Sequence, residues 1–571
     1  MTFSERLLVV VRNVALAHFL SGFCLFLVGW GYGLPRWVVL GIPAIVYLLA
    51  LYFSWHPLTG FNLKSLRESL AEIPRIAMGV ILLFLVLNIS FCLLPPAENQ
   101  EMDALNYHFV IPWQYYLRGG VIPLDWSIPD KYPLYFQIAQ LPFMVISFPW
   151  VVKIGTMMAL PLLLVVGWHL CRTMGLSRNH TAWAVATLSS LALFVKQYGT
   201  AMFDLVYTAY FLLAFLYLLR ATLSRKGTEM FLGGMILGMA CAAKTFFIYY
   251  AIVWFVASVV WRLIFKRQGF SRFDWMLSVF PLLAAILFML PVWWRNTLLT
   301  GNPFYPLFLQ WFGPVIENKG FYVSLLRVAE AGYGRSLLDF LLAPLRFILP
   351  FSKKFDYWTD PILLLFWVGA VMEIRRRWRE IAGLVGLVIF LLYIAFFFTS
   401  QEARYLYPFW VLIIALGTPS IFRRIPRKVC TSALVAQVVI GVSALFFFHR
   451  QAITWLFQGP LNQYLSRASY SFVWNKEVEG KSIKQLCLPN VGTAHRDVFD
   501  ILYFTVPVKL VQHFNTTMSI RNPRAAEGCD TFMVGNQNPN EKRDEPNNKP
   551  LLVSRETFLL EHTKDTYELA K

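Results

Sequence analysis

Residues 76–109 read IAMGVILLFLVLNISFCLLPPAENQEMDALNYHF, and this stretch indicates both the fold class and the position of a site. Its apolar part is close to the length of about 20 residues that a helix needs to cross a bilayer. The run ends at the Pro95-Pro96 pair, and the ionisable side chains of Asp103 and His108 follow closely. Because such groups are costly to place at the mouth of a membrane helix, they indicate a functional site.

The composition extends this interpretation to the whole chain. Of the 571 residues, 57% are hydrophobic and only 15% are charged, whereas soluble domains carry roughly 25% charged residues. Long apolar runs recur, and no small-residue cleavage site follows the first, so it is predicted to be retained as a helix. We therefore predict an all-α polytopic membrane protein with about 13 transmembrane helices, at 14–31, 37–54, 76–94, 148–170, 180–197, 203–220, 229–243, 245–263, 274–292, 361–374, 381–399, 404–421 and 429–448.

The formal net charge of +19 does not indicate a nucleic-acid partner. The basic residues gather in alternate short loops between the apolar runs, which is the pattern of cytoplasmic loops in membrane proteins. This distribution predicts contact with anionic membrane lipids. It also predicts a multi-pass protein of the cell (inner) membrane whose N-terminus is cytoplasmic. The loops contain Lys64, Arg67 and Arg75, Arg172 and Arg178, Arg225 and Lys226, Arg262 to Arg272, Arg375 to Arg379, and Arg423 to Lys428.

The same topology divides the chain into two domains. A membrane domain is predicted over residues 1–449, with long outer loops at 95–147 and 293–360. Residues 450–571 are more polar and contain strand-like runs such as IKQLCLP and ILYFTVPVKLV. They predict a small extracytoplasmic α/β domain at the outer face, with a mobile loop near 536–549. Its two cysteines, Cys487 and Cys529, are predicted to form a disulfide.

Several site types have no matching motif in the chain. There is no CxxC pair and no His/Cys spacing of the kind that binds zinc, so no metal ligand is assigned. There is also no Walker loop and no GxGxxG opening a helix, so a soluble nucleotide substrate is not indicated.

Two carboxylates stand out at the predicted outer face. Asp103 lies just beyond a membrane exit and could act as a general base. Its alternative role is to cap the N-terminus of a helix that begins at DALNYHF. Asp204 lies at the outer end of the apolar run GTAMFDLVYTAYFLLAF, where a carboxylate needs either a partner or a water-filled cavity. Function and structural pairing both remain open for Asp204.

Three cations share that face. Arg295 lies in PVWWRNTLLTGNPFYP, Arg404 in SQEARYLYP, and Lys244 between two apolar segments in MACAAKTFF. A guanidinium presents a fork of donors that suits phosphate and diphosphate groups. The alternative is that each arginine anchors its helix at the interface and that Lys244 extends to the membrane surface.

Aromatic and imidazole side chains accompany these charges. His108 could orient a substrate phosphate or could be structural. Tyr107, Tyr132, Trp293 and Trp294 could stack on sugar rings, although aromatic belts at membrane interfaces have the same composition.

Taken in order, these motifs resemble the GT-C class of polytopic membrane glycosyltransferases, near the dolichyl-phosphate-mannose–protein mannosyltransferases and the aminoarabinose transferases. The resemblance spans about residues 76–425. The stretches that carry it are Asp103 with Tyr107 and His108 in DALNYH, Asp204, Gly238 to Lys244 in GMACAAK, Arg295 to Pro303 in RNTLLTGNP, and Arg404 with Tyr405 in ARYLYP.

The resemblance implies a function and a set of roles. Its members move a sugar from a polyprenyl-phosphate carrier to a lipid, glycan or protein acceptor on the outer face. Asp103 would be the catalytic base and Asp204 a second acidic residue. Substrate would be bound by Tyr107 and His108, and the carrier phosphate by Lys244, Arg295 and Arg404. Transfer would be inverting, with no certain cofactor, and the family leaves a divalent metal open.

Two departures from the family pattern affect this expectation. Two extra spans precede the catalytic loop, where the simplest members have one. Asp103 has Glu101 nearby rather than an adjacent Asp-Glu pair, which weakens the expectation of a protein acceptor. The alternatives left open are an O-antigen-type glycan polymerase or ligase and a lipid-linked glycan transporter or flippase.

The first testable prediction concerns topology. Because the basic loops alternate along the chain, residues 450–571 should lie outside the cytoplasm. A phosphatase reporter fused after Lys571, active only outside, should give signal, whereas a fusion in the basic loop near Arg376 should not. Activity of a reporter that works only in the cytoplasm, fused after Lys571, would reverse the topology.

Overall fold

The computed structural model describes residues 2–59, 67, 71–147, 152–265, 270–312, 334–348, 360–399 and 401–457, together with four strand segments near the C-terminus. Short gaps interrupt the range 71–147, at 95, 97–100, 102, 104–106, 125–126 and 128, and the range 270–312, at 306.

The described residues are overwhelmingly helical, which confirms the predicted fold class. Every predicted span coincides with helix, and in the described part of the chain nine helical segments are long and apolar enough to cross a membrane. The protein is thus a multi-pass membrane protein. The nine are Phe3–Gly31, Arg36–Trp55, Arg75–Cys92, Ile154–Thr173, Asp204–Ser224, Arg272–Thr300, Ile381–Phe398, Ala403–Arg424 and Arg427–Arg450.

The remaining described helices are shorter. The predictions at 229–243, 245–263 and 361–374 coincide with helices of this kind, as does the broken prediction at 180–197. They are Val110–Leu117, Tyr135–Ile138, Leu141–Ser147, Arg178–Ser190, Ala192–Val195, Gly227–Cys241, Tyr249–Phe265, Leu309–Phe312, Leu337–Ile348 and Ile362–Arg377, with 3-10 turns at Pro129–Lys131, Thr245–Ile248 and Ala403–Leu406.

The helix predicted over 180–197 is broken at Leu191, whose backbone is extended. The carboxylate of Asp360 accepts hydrogen bonds from the backbone amides of Ala192 at 2.8 Å and Leu193 at 3.0 Å. It therefore satisfies the free donors at the start of the second, short helix. This partner lies far away in the chain, so the local apolar pattern could not reveal the break.

Helix Asp204–Ser224 lies at the centre of the membrane domain. In its most apolar window 89% of the residues are buried, against 28% for Arg36–Trp55, which leaves the latter at the rim facing lipid. The central helix packs against Gly227–Cys241 and Ile154–Thr173. Its N-terminal residue, Asp204, is therefore placed in the interior of the protein.

Glycines allow two further helices to approach closely. A Cβ atom on Gly417 would lie 2.2 Å from the carbonyl oxygen of Phe366, and one on Gly369 would lie 2.7 Å from the carbonyl oxygen of Gly417. Small residues at such crossings are typical of helix packing in membranes. This contact fixes helix Tyr407–Arg424, and with it the turn that carries Arg404, against Ile362–Arg377.

Two predicted boundaries are shifted in the structure. Helix Arg427–Phe457 continues past residue 450, where the second domain was predicted to begin. Helix Arg272–Thr300 includes Arg295, which was predicted to lie at the start of an outer loop. In each case the helix continues beyond its apolar run, because backbone hydrogen bonding does not require apolar side chains.

The C-terminal region contains a four-stranded sheet. The strands are β1 (Leu486–Asn490), β2 (Val508–Gln512), β3 (Thr531–Val534) and β4 (Leu551–Ser554), in the order β2-β1-β3-β4. β1 pairs in parallel with β2 and β3, and β3 pairs antiparallel with β4. Each of the two strand-like runs in the sequence therefore overlaps a strand, β1 and β2 respectively. The predicted loop near 536–549 and the disulfide between Cys487 and Cys529 lie outside what the structure describes.

Candidate functional site

Four of the predicted site residues meet in one cluster, although they come from separate parts of the chain. Arg404 Nη1 lies 2.9 Å from Asp103 Oδ2 and 3.6 Å from Asp204 Oδ2. Lys244 Nζ lies 3.3 Å from Asp204 Oδ1. We call Asp103, Asp204, Lys244 and Arg404 the charged cluster. The structure thus brings both predicted carboxylates and two of the three predicted cations together.

Local structure holds Asp204 in place. It is the first residue of the central helix, and Gln197 donates through Nε2 to its Oδ2 at 3.1 Å. The other end of that amide, Gln197 Oε1, accepts from the backbone amide of Leu205 at 3.2 Å. Gln197 thus caps the helix and orients the carboxylate with one side chain. With these polar contacts, the cost of burying the charge of Asp204 is offset.

Lys244 and Arg404 lie in short turns at helix ends. Lys244 follows helix Gly227–Cys241, and its ammonium lies 5.4 Å from the ring centre of Tyr405 and 5.7 Å from that of Tyr207. It is buried on Asp204 rather than extended to the membrane surface. Arg404 lies in the turn Ala403–Leu406, which leads directly into the next helix.

Exposure separates the cluster into an open and a covered pair. The side chains of Asp103 and Arg404 are 27% and 20% exposed, whereas those of Asp204 and Lys244 are 2% and 9% exposed. The open pair is therefore the part that a substrate can reach first. Asp204 and Lys244 are buried behind Asp103 and Arg404.

The cations set the protonation of Asp103. Burial by itself would raise its pKa, but Arg404 and Lys244 favour the charged form, and the pKa is held below its usual value. Tyr107 adds a hydrogen bond, its hydroxyl donating to Asp103 Oδ2 at 3.5 Å. Asp103 is consequently a carboxylate at neutral pH and able to accept a proton.

A further acidic residue, Glu402, lies against the charged cluster and was not predicted from the sequence. The guanidinium of Arg404 contacts the carboxylate of Glu402 through Nε. Glu402, Asp103 and Asp204 carry three negative charges, and Lys244 and Arg404 carry two positive charges. The signal in the sequence was that Glu402 precedes Arg404, a predicted phosphate ligand, by two residues.

His108 is buried beside the cluster in an enclosed setting. Its Nδ1 lies 3.0 Å from Gln137 Nε2, which in turn donates to the hydroxyl of Tyr207 at 2.6 Å. The ring lies against Tyr107 and Phe203, with centroids 4.1 and 5.0 Å apart. Burial lowers the pKa of His108 to about 3, so the imidazole is neutral and contributes no charge to phosphate binding.

The segment that carries Asp103 is anchored by its neighbour Glu101. Lys153 Nζ lies 3.1 Å from Glu101 Oε1, and the same oxygen accepts from the backbone amide of Ala201 at 2.6 Å. Lys153 also donates to the carbonyl oxygen of Gly199 at 2.8 Å. This buried ion pair fastens the Asp103 segment to the turn that precedes Asp204. It thereby sets the relative position of the two carboxylates.

Arg295 lies on different partners. Its Nη2 lies 3.1 Å from both carboxylate oxygens of Asp130, and its Nη1 donates to the carbonyl oxygen of Asp130 at 2.8 Å. The hydroxyl of Tyr115 also contacts Asp130. In the described part of the chain, Arg295 has no contact with the charged cluster. The side chain of Arg295 is 2% exposed. The ion pair of Arg295 with Asp130 joins the loop near residue 130 to helix Arg272–Thr300.

The predicted aromatic residues divide in a similar way. Tyr132 lies edge-on to Tyr107, with ring centres 6.5 Å apart, and so belongs near the cluster. Trp294 is 60% exposed on the outside of its helix, as expected for an aromatic belt, and Trp293 packs against Phe304.

The cluster lies at helix ends opposite to those rich in arginine. Helix Asp204–Ser224 begins in the cluster and is followed by Arg225, which pairs with Asp274 at 3.1 Å. The helix that begins next to Arg404 ends at Arg423 and Arg424.

Acidic and basic groups that meet in a partly exposed site can together remove a proton from one group and hold an anion.

Comparisons with known proteins identify structures with a similar course of the chain. No protein-family model matches the sequence, and no curated protein matches it significantly. The crystal structure of ArnT from Cupriavidus metallidurans bound to undecaprenyl phosphate superposes with a TM-score of 0.46 and 12% identity, over 77% of this chain and 86% of that chain.

A second group comes from Archaeoglobus fulgidus. Its oligosaccharyltransferase AglB, in complex with an inhibitory peptide and a dolichol-phosphate, has a TM-score of 0.43 and 11% identity, over 81% of this chain and 69% of that chain. A complex of the A. fulgidus oligosaccharyltransferase with Zn and sulfate has a TM-score of 0.40 and 13% identity, over 80% of this chain and 68% of that chain. In the described part of the present chain, no three His, Cys, Asp or Glu side chains are grouped to hold a metal.

The environment of Arg295 generates a prediction about stability. Replacing Arg295 by Gln removes the cation that contacts both carboxylate oxygens of the buried Asp130 and leaves it only Lys131, whose Nζ lies 2.9 Å from Asp130 Oδ2. Because Lys131 remains, the loss should stay below the about 3–5 kcal/mol of a buried ion pair that loses its cation completely. The apparent unfolding temperature in detergent should still fall below that of the exposed control Arg424→Gln. Adding Asp130→Asn should recover part of the loss, because the buried carboxylate charge is then removed.

The rival role for Arg295 is direct binding of a carrier phosphate. In that case Arg295→Gln would keep the unfolding temperature of the unaltered protein and lose affinity for undecaprenyl phosphate. This result would return Arg295 to the binding site and contradict the structural role.

Proposed function

We propose that this protein is a membrane glycosyltransferase that takes a sugar from a polyprenyl-phosphate carrier and passes it to an acceptor at the outer face of the membrane. The observation that carries the proposal is the position of Arg404, which bridges Asp103 and Asp204 at a partly exposed site. One side chain there can accept a proton while neighbouring cations stabilise a phosphate leaving group.

The orientation follows from the distribution of charge. The charged cluster lies at the helix ends away from the arginine-rich loops, and such loops face the cytoplasm in membrane proteins. The acceptor would therefore be used outside the cytoplasm. A lipid-linked donor suits this location, because it is held in the membrane beside the site and requires no soluble nucleotide.

Asp103 is proposed as the general base. It removes the proton from an acceptor hydroxyl, and the acceptor oxygen then attacks the anomeric carbon of the sugar from the face opposite the phosphate. The bond between that carbon and the phosphate oxygen breaks, and its electron pair stays on the phosphate. The configuration at the anomeric carbon is inverted, and Asp103 holds the proton at the end of the step.

Lys244 and Arg404 are proposed to bind the phosphate. Negative charge grows on its oxygens during transfer, and cations already in position lower the barrier. Asp204 contacts both cations and keeps them oriented in the absence of an anion. Arg295 is not proposed as a third phosphate ligand, because its guanidinium is paired with Asp130.

Donor binding is proposed to strengthen the base. The Arg404 guanidinium favours the charged form of Asp103 in the ligand-free protein. When a phosphate oxygen takes over Nη1 of Arg404, Asp103 loses part of this interaction and its pKa rises. A base whose pKa is closer to the working pH removes a proton more effectively. The base would then be fully active only with the donor in place.

The test of this proposal is the replacement Asp103→Asn. The variant keeps the size of the side chain but cannot accept the proton, so transfer should fall by at least about 100-fold. The assay uses the purified full-length protein in liposomes, undecaprenyl phosphate carrying radiolabelled glucose, mannose or galactose, and total cell-envelope lipids and glycans as acceptors.

The matched control is Glu72→Gln. This carboxylate is 53% exposed and pairs with Arg178 in an arginine-rich loop far from the site in the fold. Its transfer rate should stay within about twofold of the unaltered protein, because exposed ion pairs contribute little. Near-normal transfer by Asp103→Asn, with the control also active, would remove Asp103 from the role of base. Transfer of whole glycan chains instead of single sugars would point to a polymerase or ligase.

A further inference from the structure

His108 has a polar atom that the fold leaves unused. Its Nε2 is buried and, among the residues that the structure describes, has no hydrogen-bond partner. Leaving a buried polar atom without a partner destabilises a fold, because the atom has lost its hydrogen bonds to water and gained none in the protein. In natural proteins such atoms call for an explanation, and a ligand or water that occupies the site supplies one.

The rest of the imidazole is firmly held. Nδ1 lies 3.0 Å from Gln137 Nε2, and the ring contacts Tyr107 and Phe203. If the Gln137 amide donates to Nδ1, the proton of the neutral ring lies on Nε2, and if the amide is reversed, Nε2 is the acceptor. In both arrangements Nε2 is the nitrogen left for a ligand. The ring is thus held in one orientation and keeps one neutral polar atom, which is covered in the ligand-free structure.

The position of His108 links it to the charged cluster. Tyr107, the neighbouring residue, contacts both the imidazole ring and the carboxylate of Asp103. The imidazole also lies against Phe203, with ring centroids 5.0 Å apart, and Phe203 immediately precedes Asp204. A group bound between Asp103 and the cations would therefore lie close to Tyr107 and His108.

We propose that His108 Nε2 hydrogen-bonds a hydroxyl group of the carrier-linked sugar and helps to select and orient that sugar. This inference rests on the proposed function, and it separates the two ends of the donor. Lys244 and Arg404 bind the phosphate by electrostatic attraction, whereas His108 recognises the uncharged sugar through a single hydrogen bond. Tyr107 adds an aromatic surface on which a sugar ring can pack.

The experiment compares two ligands on the full-length protein by native mass spectrometry. The probes are undecaprenyl phosphate without a sugar and undecaprenyl phosphate carrying glucose, mannose or galactose. The unaltered protein should bind at least one sugar-bearing carrier about tenfold more tightly than the bare carrier, a factor within the range of one or two hydrogen bonds. His108→Phe should reduce this ratio to about one and leave the affinity for the bare carrier unchanged.

Two further variants separate ligand binding from support of the fold. In His108→Gln the terminal amide lies near the place of Nε2, so part of the sugar preference should return. In His108→Asn the amide lies near the place of Nδ1, which restores only the contact with Gln137. If Asn restores the preference and Gln does not, His108 acts through Gln137, and the inference is wrong.

The remaining outcomes are also decisive. If the unaltered protein prefers a sugar-bearing carrier and His108→Phe keeps that preference, the inference fails while the proposed function stands. If His108→Phe weakens the bare carrier as strongly as the sugar-bearing ones, His108 is a phosphate ligand. If the unaltered protein binds no carrier at all, the proposed function fails and the inference falls with it.

Discussion

The contact of Arg404 with carboxylates from three parts of the chain determines the arrangement of the site. Asp103 follows one membrane helix, Asp204 begins the central helix, and Glu402 precedes Arg404 itself. Buried or half-buried charges are tolerated only when they are paired. Without the guanidinium, Asp103 and Asp204 would repel each other, and the segment after helix Arg75–Cys92 would keep only its attachment through Glu101 and Lys153.

The same pairing gives the site its chemical character. At this site the three carboxylates outnumber the two cations by one. The charges of Arg404 and Lys244 are therefore compensated before any ligand binds. An incoming phosphate must exchange places with carboxylates rather than enter an empty basic pocket. This exchange favours an anion that brings several acceptor oxygens, and it leaves Asp103 less neutralised at the moment when a base is needed. Binding and proton removal are thereby coupled through a single side chain.

Features that depend on nearby residues could be predicted from the sequence. Apolar runs of bilayer length identify the helices, and an ionisable residue at the end of such a run, as at Asp103, is visible without any knowledge of the fold. Pairings between distant residues could not be predicted in this way. Arg295 has the same local setting as Arg404, yet a carboxylate 165 residues earlier holds it elsewhere. The helix break at Leu191 likewise depends on Asp360, and no local pattern indicated either partner.

The most direct test of the central claim is a cryo-electron microscopy structure of the full-length protein in lipid nanodiscs with undecaprenyl phosphate. We expect the phosphate within about 2.7–3.2 Å of Lys244 Nζ and of a guanidinium nitrogen of Arg404, with Asp103 released from Nη1 and facing an open space. A phosphate bound away from both cations, with Arg404 still bridging Asp103 and Asp204, would show that these two side chains do not bind the carrier.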